Sequence, residues 1–182
     1  WGSYLVRIYL SNRSGVEMVG LYNAGFAIIN TYVGLVFTAM ATDYFPRLSS
    51  AIHDDAKWKL VVMHQAEVVT LLLGPILILL VTTAPIIIKL LLTSEFTPVI
   101  QYINWAILGI FLQGIIWSLG VIIVAKGDFR LKLYTEIFGK GILLSLNILC
   151  YTLWRLEGLG IALEIRNLIN LTLILGISYY RY

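Results

Sequence analysis

FTPVIQYINWAILGIFLQGIIWSLGVIIVA, residues 96–125, holds no Asp, Glu, Lys, Arg or His. The hydrocarbon core of a bilayer is about 30 Å thick, and a helix rising about 1.5 Å per residue crosses it in about 20 residues. This stretch is long enough to do so. Residues 18–42 and 68–88 are two further uncharged runs of spanning length. Of all residues 59% are hydrophobic and 13% are charged, whereas a soluble domain carries about 25% charged residues. With mean hydropathy +0.87, the chain has too little charge to cover its surface in water.

Two shorter apolar runs, 141–154 and 167–180, reach spanning length when the segments before them are included, ionisable residues and all. The expected spans are about 1–10 (partial), 19–42, 63–90, 98–125, 133–154 and 158–180, in one unit over 1–182. The chain opens at Trp1 inside an apolar segment, so it is expected to be a fragment of something longer. Strand-like alternation over long runs is missing, which excludes a β-barrel. The fold class is all-α, a polytopic transmembrane helical bundle.

Basic residues alternate between the runs. Arg47, Lys57, Lys59, Lys126, Arg130, Lys132 and Arg181 fall on one set of connections, and Arg7, Arg13, Lys89 and Arg155 on the other. The richer set, 43–60, 126–132 and the tail, is expected at the cytoplasmic face. Tyr44, Phe45, Trp58, Phe96, Phe129, Tyr134, Trp154, Tyr179 and Tyr180 stand near the run ends, the depth amphipathic rings favour. Residues 46–60 mix apolar and charged side chains and are expected to form a short helix on the membrane surface. Gly74-Pro75 predicts a bend in its helix, because proline removes one backbone hydrogen bond.

A charge at membrane depth costs about 2.5–3.5 kcal/mol on insertion scales and usually faces a bundle interior or a wet cavity. Arg166 lies about 12 Å inside its span counted from Gly158. It is either a cation lining a cavity or half of a structural pair with a carboxylate on a neighbouring helix. Glu164 falls on nearly the opposite helix face. Glu136 and Lys140 stand i, i+4 and suit an intrahelical pair, with a pathway role for Lys140 as the alternative. Glu67, with His64 and Gln65, could couple an ion or simply begin a helix at the interface. Arg7 could snorkel outward or face a cavity. Asn30 and Gln113 suit interhelical hydrogen bonds, and Gly25, Gly34, Gly109 and Gly114 suit close helix packing. Cys150 stands alone and has no internal disulfide partner. No metal spacing, phosphate-binding glycine loop or nucleophile beside a base is present. The basic residues are too dispersed for a nucleic-acid surface.

Five short motifs share an order. Val19-Gly20-Leu21-Tyr22-Asn23-Ala24 is followed by Asp43-Tyr44-Phe45-Pro46-Arg47-Leu48-Ser49, then by Ala84-Pro85-Ile86-Ile87-Ile88-Lys89-Leu90-Leu91 with Glu95-Phe96. Ala125-Lys126-Gly127-Asp128 and Gly158-Leu159-Gly160-Ile161-Ala162 complete the series. Together they resemble the polysaccharide (O-antigen) flippase or translocase family of the multidrug/oligosaccharidyl-lipid/polysaccharide exporter superfamily, over nearly the whole chain. The resemblance implies one six-helix lobe, the C-terminal one with its first helix truncated, of a two-lobe exporter whose N-terminal lobe is missing. It implies a flippase in the bacterial inner membrane that moves a polyprenyl-diphosphate-linked oligosaccharide, an O-antigen or capsule repeat unit, for lipopolysaccharide or polysaccharide biosynthesis. Arg166, Arg7 and Lys140 would line the substrate pathway and Glu67 would couple an ion. No enzyme activity and no cofactor are implied. A drug or lipid-linked peptidoglycan-precursor exporter shares the fold; a membrane-embedded glycan polymerase or ligase is the rival of another class, for which the outward connections are short.

Overall fold

A computed structural model describes residues 2–181, so Trp1, which opens the first expected span, lies outside the described residues. The order is α1 (Gly2–Ala51), α2 (Asp55–Leu91), a single 3-10 turn (Ser94–Phe96), α3 (Pro98–Ala125) and α4 (Phe129–Arg181). Among the described residues there is no strand. All four helices are long and apolar enough to cross a membrane.

Two of them fold back on themselves. α1 leaves helical geometry at Gly15 (φ 83, ψ 177), and α4 does so at Arg155 (φ 51, ψ −129). Beyond Gly15 the chain returns, placing the Arg7 guanidinium 5.7 Å from the centre of the Phe26 ring. In a straight helix those two residues would stand about 28 Å apart. The α4 arms, 129–154 and 156–181, lie antiparallel: Arg181 pairs with Asp128 at 2.6 Å, and Gly139 faces the Asn170 amide.

The helix ends follow from local sequence. Pro98 occupies the first turn of α3, where its missing N–H would have had no partner. The far end closes through Gly127 at φ 76, with Gly127 N–H donating to Val124 O at 3.0 Å and Asp128 N–H to Ile123 O at 2.9 Å. This is the paired closure a left-handed residue after a helix permits. Asp54 caps α2, accepting from the backbone of Ala56 and Lys57. Its carboxyl is held below the usual value, chiefly by hydrogen bonding from the Lys57 side chain.

α3 is the central helix, packed by α4, α2 and α1. Lipid tails are as apolar as leucine, so close packing rather than a hydrophobic drive holds such helices together. At Gly109, an added Cβ would stand 2.9 Å from the backbone N of Glu164. Gly25 lets Tyr102 approach, and Gly114 admits Leu73 and Val69. Gly34, grouped with them on sequence, has nothing within 4 Å.

The turns sort to two ends. Lys126 Nζ reaches Ile52 O at 3.3 Å, tying 52–54 to 126–128, and the Asp128–Arg181 pair brings the tail to the same end. At the opposite end the Tyr151 hydroxyl meets Ser14 Oγ at 2.5 Å, joining the reversals at Gly15 and Arg155.

Two expectations are corrected here. Residues 46–60 form no separate surface helix: α1 runs to Ala51, and α2 starts at Asp55. Their apolar side chains instead close a second core of Tyr44, Leu48, Ile52, Trp58, Val62 and Ile122. Tyr44 (0% exposed) and Trp58 (3% exposed) are therefore core residues rather than headgroup anchors; Tyr44 donates its hydroxyl to Ser118 O at 2.6 Å. Phe129, Tyr134, Trp154, Tyr179 and Tyr180 are exposed as expected. At Gly74-Pro75, as at Pro85, α2 stays helical and the chain does not reverse. A proline forfeits one hydrogen bond, whereas chain reversal needs a residue outside helical dihedrals, as at Gly15 and Arg155.

Candidate functional site: a cationic seam on the fourth helix

The polar side chains of α4 gather where its arms face each other. On the first arm, Lys132, Glu136 and Lys140 rise one turn at a time. Glu136 Oε1 accepts from Lys132 Nζ at 2.9 Å, and its Oε2 lies 3.5 Å from Lys140 Nζ. The sequence spacing anticipates the pair with Lys140; the one with Lys132 extends it into a three-residue ladder. On the second arm, Arg166 is half-buried, and its Nε is buried with no hydrogen-bond partner among the described residues. Glu136 is the carboxylate whose field reaches it. The seam thus carries three cations and one carboxylate.

Two asparagines frame Arg166. Asn170, one turn along, lies against Gly139. Asn167 is fully buried and donates its side-chain N–H to Gly109 O at 2.6 Å, while its Oδ1 has no partner among the described residues. Sequence reading missed Asn167; the signal available was its place beside a charge at membrane depth. Glu164 lies at the tight α3–α4 crossing made by Gly109.

Depth can be counted from the reversal. Arg166 is about 16 Å from Arg155 along its arm, and Lys140 about 16 Å from Phe129 along the other, at a rise of about 1.5 Å per residue. Both therefore stand near the middle of a bilayer core about 30 Å thick. Lys132, Glu136 and Lys140 keep side-chain exposures of 36%, 46% and 58%. Charges at such depth do not face lipid tails, so this side of α4 borders water or another protein surface.

The other expected residues stand apart. Arg7 is half-buried against the Phe26 ring, with its Nε buried and no partner among the described residues. It forms a separate cationic point on the first arm of α1, before Gly15. Glu67 is exposed on α2 beside His64, at 3.8 Å. It does not begin a helix, since α2 starts at Asp55. Gln65 is the buried member of that trio: it accepts from Arg47 at 3.2 Å, Arg47 pairs with Asp43 at 2.8 Å, and the Gln65 Nε2 has no partner among the described residues. Asn30 donates to Phe26 O within its own helix and glues no helices together. Separately, a hollow of about 460 Å³ lined by Ile52, His53, Asp55, Ala125 and Lys126 opens at the end where the turns 52–54 and 126–128 meet.

Comparison with known families gives one match, to the polysaccharide biosynthesis protein family, over residues 6–101. No curated protein and no solved structure matches the chain. The matched stretch runs from Val6 through α1 and α2 into the start of α3, more than half of the 182 residues. With that match and four helices fit to cross a membrane, the chain belongs to the polysaccharide biosynthesis protein family and is a multi-pass membrane protein of it.

Proposed function

We propose that this chain is one six-helix lobe of a two-lobe flippase, and that it moves a polyprenyl-diphosphate-linked oligosaccharide across the bacterial inner membrane. The observation that carries the reading is Arg166: a guanidinium near mid-membrane whose Nε is buried and lacks a partner among the described residues. Such a group needs water, a carboxylate or a phosphate to face. The substrate poses the complementary problem, a diphosphate and hydroxyl-rich sugars that must pass hydrocarbon. Lys140 and Arg166 near mid-depth match the phosphate charge, with Arg7 a separate cation elsewhere on the path, and Arg can bind phosphate through two parallel N–H donors. The polyprenyl tail stays in the bilayer. Alternating exposure of a central site between two lobes completes transfer with no covalent step, so the protein acts as a transporter and not as an enzyme.

The test replaces Arg166 in the full-length protein and follows surface polysaccharide together with membrane protein level. Arg166→Lys keeps charge and loses two-point geometry, so part of export survives. Arg166→Gln abolishes most export at unchanged protein level. Normal polysaccharide at a normal level in the Gln variant overturns the reading.

A further inference from the structure

Glu136 is an awkward residue to place on a path for a phosphate. It is the one carboxylate of the seam, it repels any anion that approaches Lys132, Lys140 or Arg166, and an uncharged residue would leave the cations free. Its geometry shows what it does in the absence of a ligand. One oxygen engages Lys132 at 2.9 Å and the other Lys140 at 3.5 Å, so both lysines pair with a single group. Arg166, across the seam, feels the same carboxylate. Lys132 and Lys140 thus share one counter-ion, and removing it would leave neither with an ion pair among the described residues.

We propose that Glu136 is an exchangeable internal counter-ion: it occupies the cationic seam when no substrate is bound, and the substrate's phosphate displaces it. This rests on the diphosphate reading of the seam. A diphosphate brings more than one negative charge and several acceptor oxygens, so it exchanges for one carboxylate with a net gain of pairing. When it leaves, Glu136 re-forms its bridges and the bare cations are never exposed. The device also limits affinity. A site that passes its cargo onward must bind well enough to admit it and weakly enough to release it. Competition from a tethered carboxylate supplies that weakness.

The test uses the full-length protein in lipid nanodiscs, with farnesyl diphosphate as probe, alongside surface polysaccharide in cells. Glu136→Gln should bind the probe at least about fivefold more tightly, the low end of an ordinary coupling between sites, and should export less because release slows. Glu136→Asp, which keeps the charge, should bind as the wild type does. Glu136→Ala is a second neutral variant, read in the same way should the Gln protein reach the membrane poorly. Unchanged or weaker binding in both neutral variants overturns the counter-ion role. Arg166→Gln separates the two ideas. If it loses the probe while Glu136→Gln binds as the wild type does, the diphosphate reading stands and the counter-ion falls. If it binds the probe normally, the diphosphate reading itself falls.

Discussion

Arg155 holds φ 51 and ψ −129, the only positive φ among the described non-glycine residues, and there its Cβ is crowded by the backbone. The strain sits at the reversal of α4, where Gly158 lets the second arm begin hard against the Cys150 carbonyl. Strained backbone of this kind costs about 1–3 kcal/mol. Arg155→Gly should therefore leave thermal stability in detergent unchanged or raise it by up to about 1 kcal/mol, because the strain relieved offsets glycine's extra unfolded entropy. Arg155→Val should lower it by more than about 1 kcal/mol. A Gly variant less stable than the Val variant contradicts the assignment. On sequence, Arg155 falls in the connection between the expected spans 133–154 and 158–180, and Gly15 in the one between 1–10 and 19–42. Nothing local marks which residue of each connection leaves helical geometry.

At the scale of elements, α3 and α4 cross closely at glycines, Gly109 on α3 and Gly160 on α4. Gly109 allows the backbone at Glu164 to close in, and this proximity lets Asn167 reach Gly109 O. Gly109→Val should separate the helices and cost about 1–3 kcal/mol, as overpacking does. Gly34→Val, with open space around Gly34, is the matched control and should cost less; thermal melting of both variants decides. The sequence flagged the two glycines alike, since packing distance depends on what lies opposite and a sequence does not state that. The connections carry a further expectation. The turns 52–54 and 126–128 share one end with the tail, and that end bears the richer basic set, so it is expected to face the cytoplasm. In a Cys150→Ser background, Ser50→Cys and Arg130→Cys should resist an impermeant thiol reagent in intact cells, whereas Ser94→Cys should be labelled. The reverse pattern would invert the protein.

For the whole molecule, the central question is which exposed surface meets lipid. Ile78, Leu79, Leu71 and Leu72 on α2 are exposed and apolar, a surface suited to acyl chains. The exposed side of α4 instead carries Lys132, Glu136 and Lys140, which hydrocarbon does not accommodate. In the full-length protein without Cys150, Lys140→Cys should react with a small hydrophilic thiol reagent. Ile78→Cys, at a site 67% exposed, should remain inert because lipid covers it. A Lys140→Cys variant as inert as Ile78→Cys would show that the charged side of α4 lines no watery space.

The solvent of this chain was settled by sequence alone. Uncharged runs longer than a bilayer core, with charges confined between them, leave no soluble solution, and the same runs dictate helices because a backbone in lipid must satisfy its own hydrogen bonds. The Glu136–Lys140 pair was likewise legible, since i, i+4 neighbours meet on any helix. Tertiary structure decided the rest. It put Tyr44 and Trp58 in a core, because the chain brings the end of α1, the start of α2 and Ile122 of α3 together. It brought Arg166 into the field of Glu136 and left Arg7 and Glu67 elsewhere. Periodicity tells which residues share a helix face, but which faces meet depends on where the chain reverses and how closely glycines let its helices approach, and those are contacts between residues far apart in sequence.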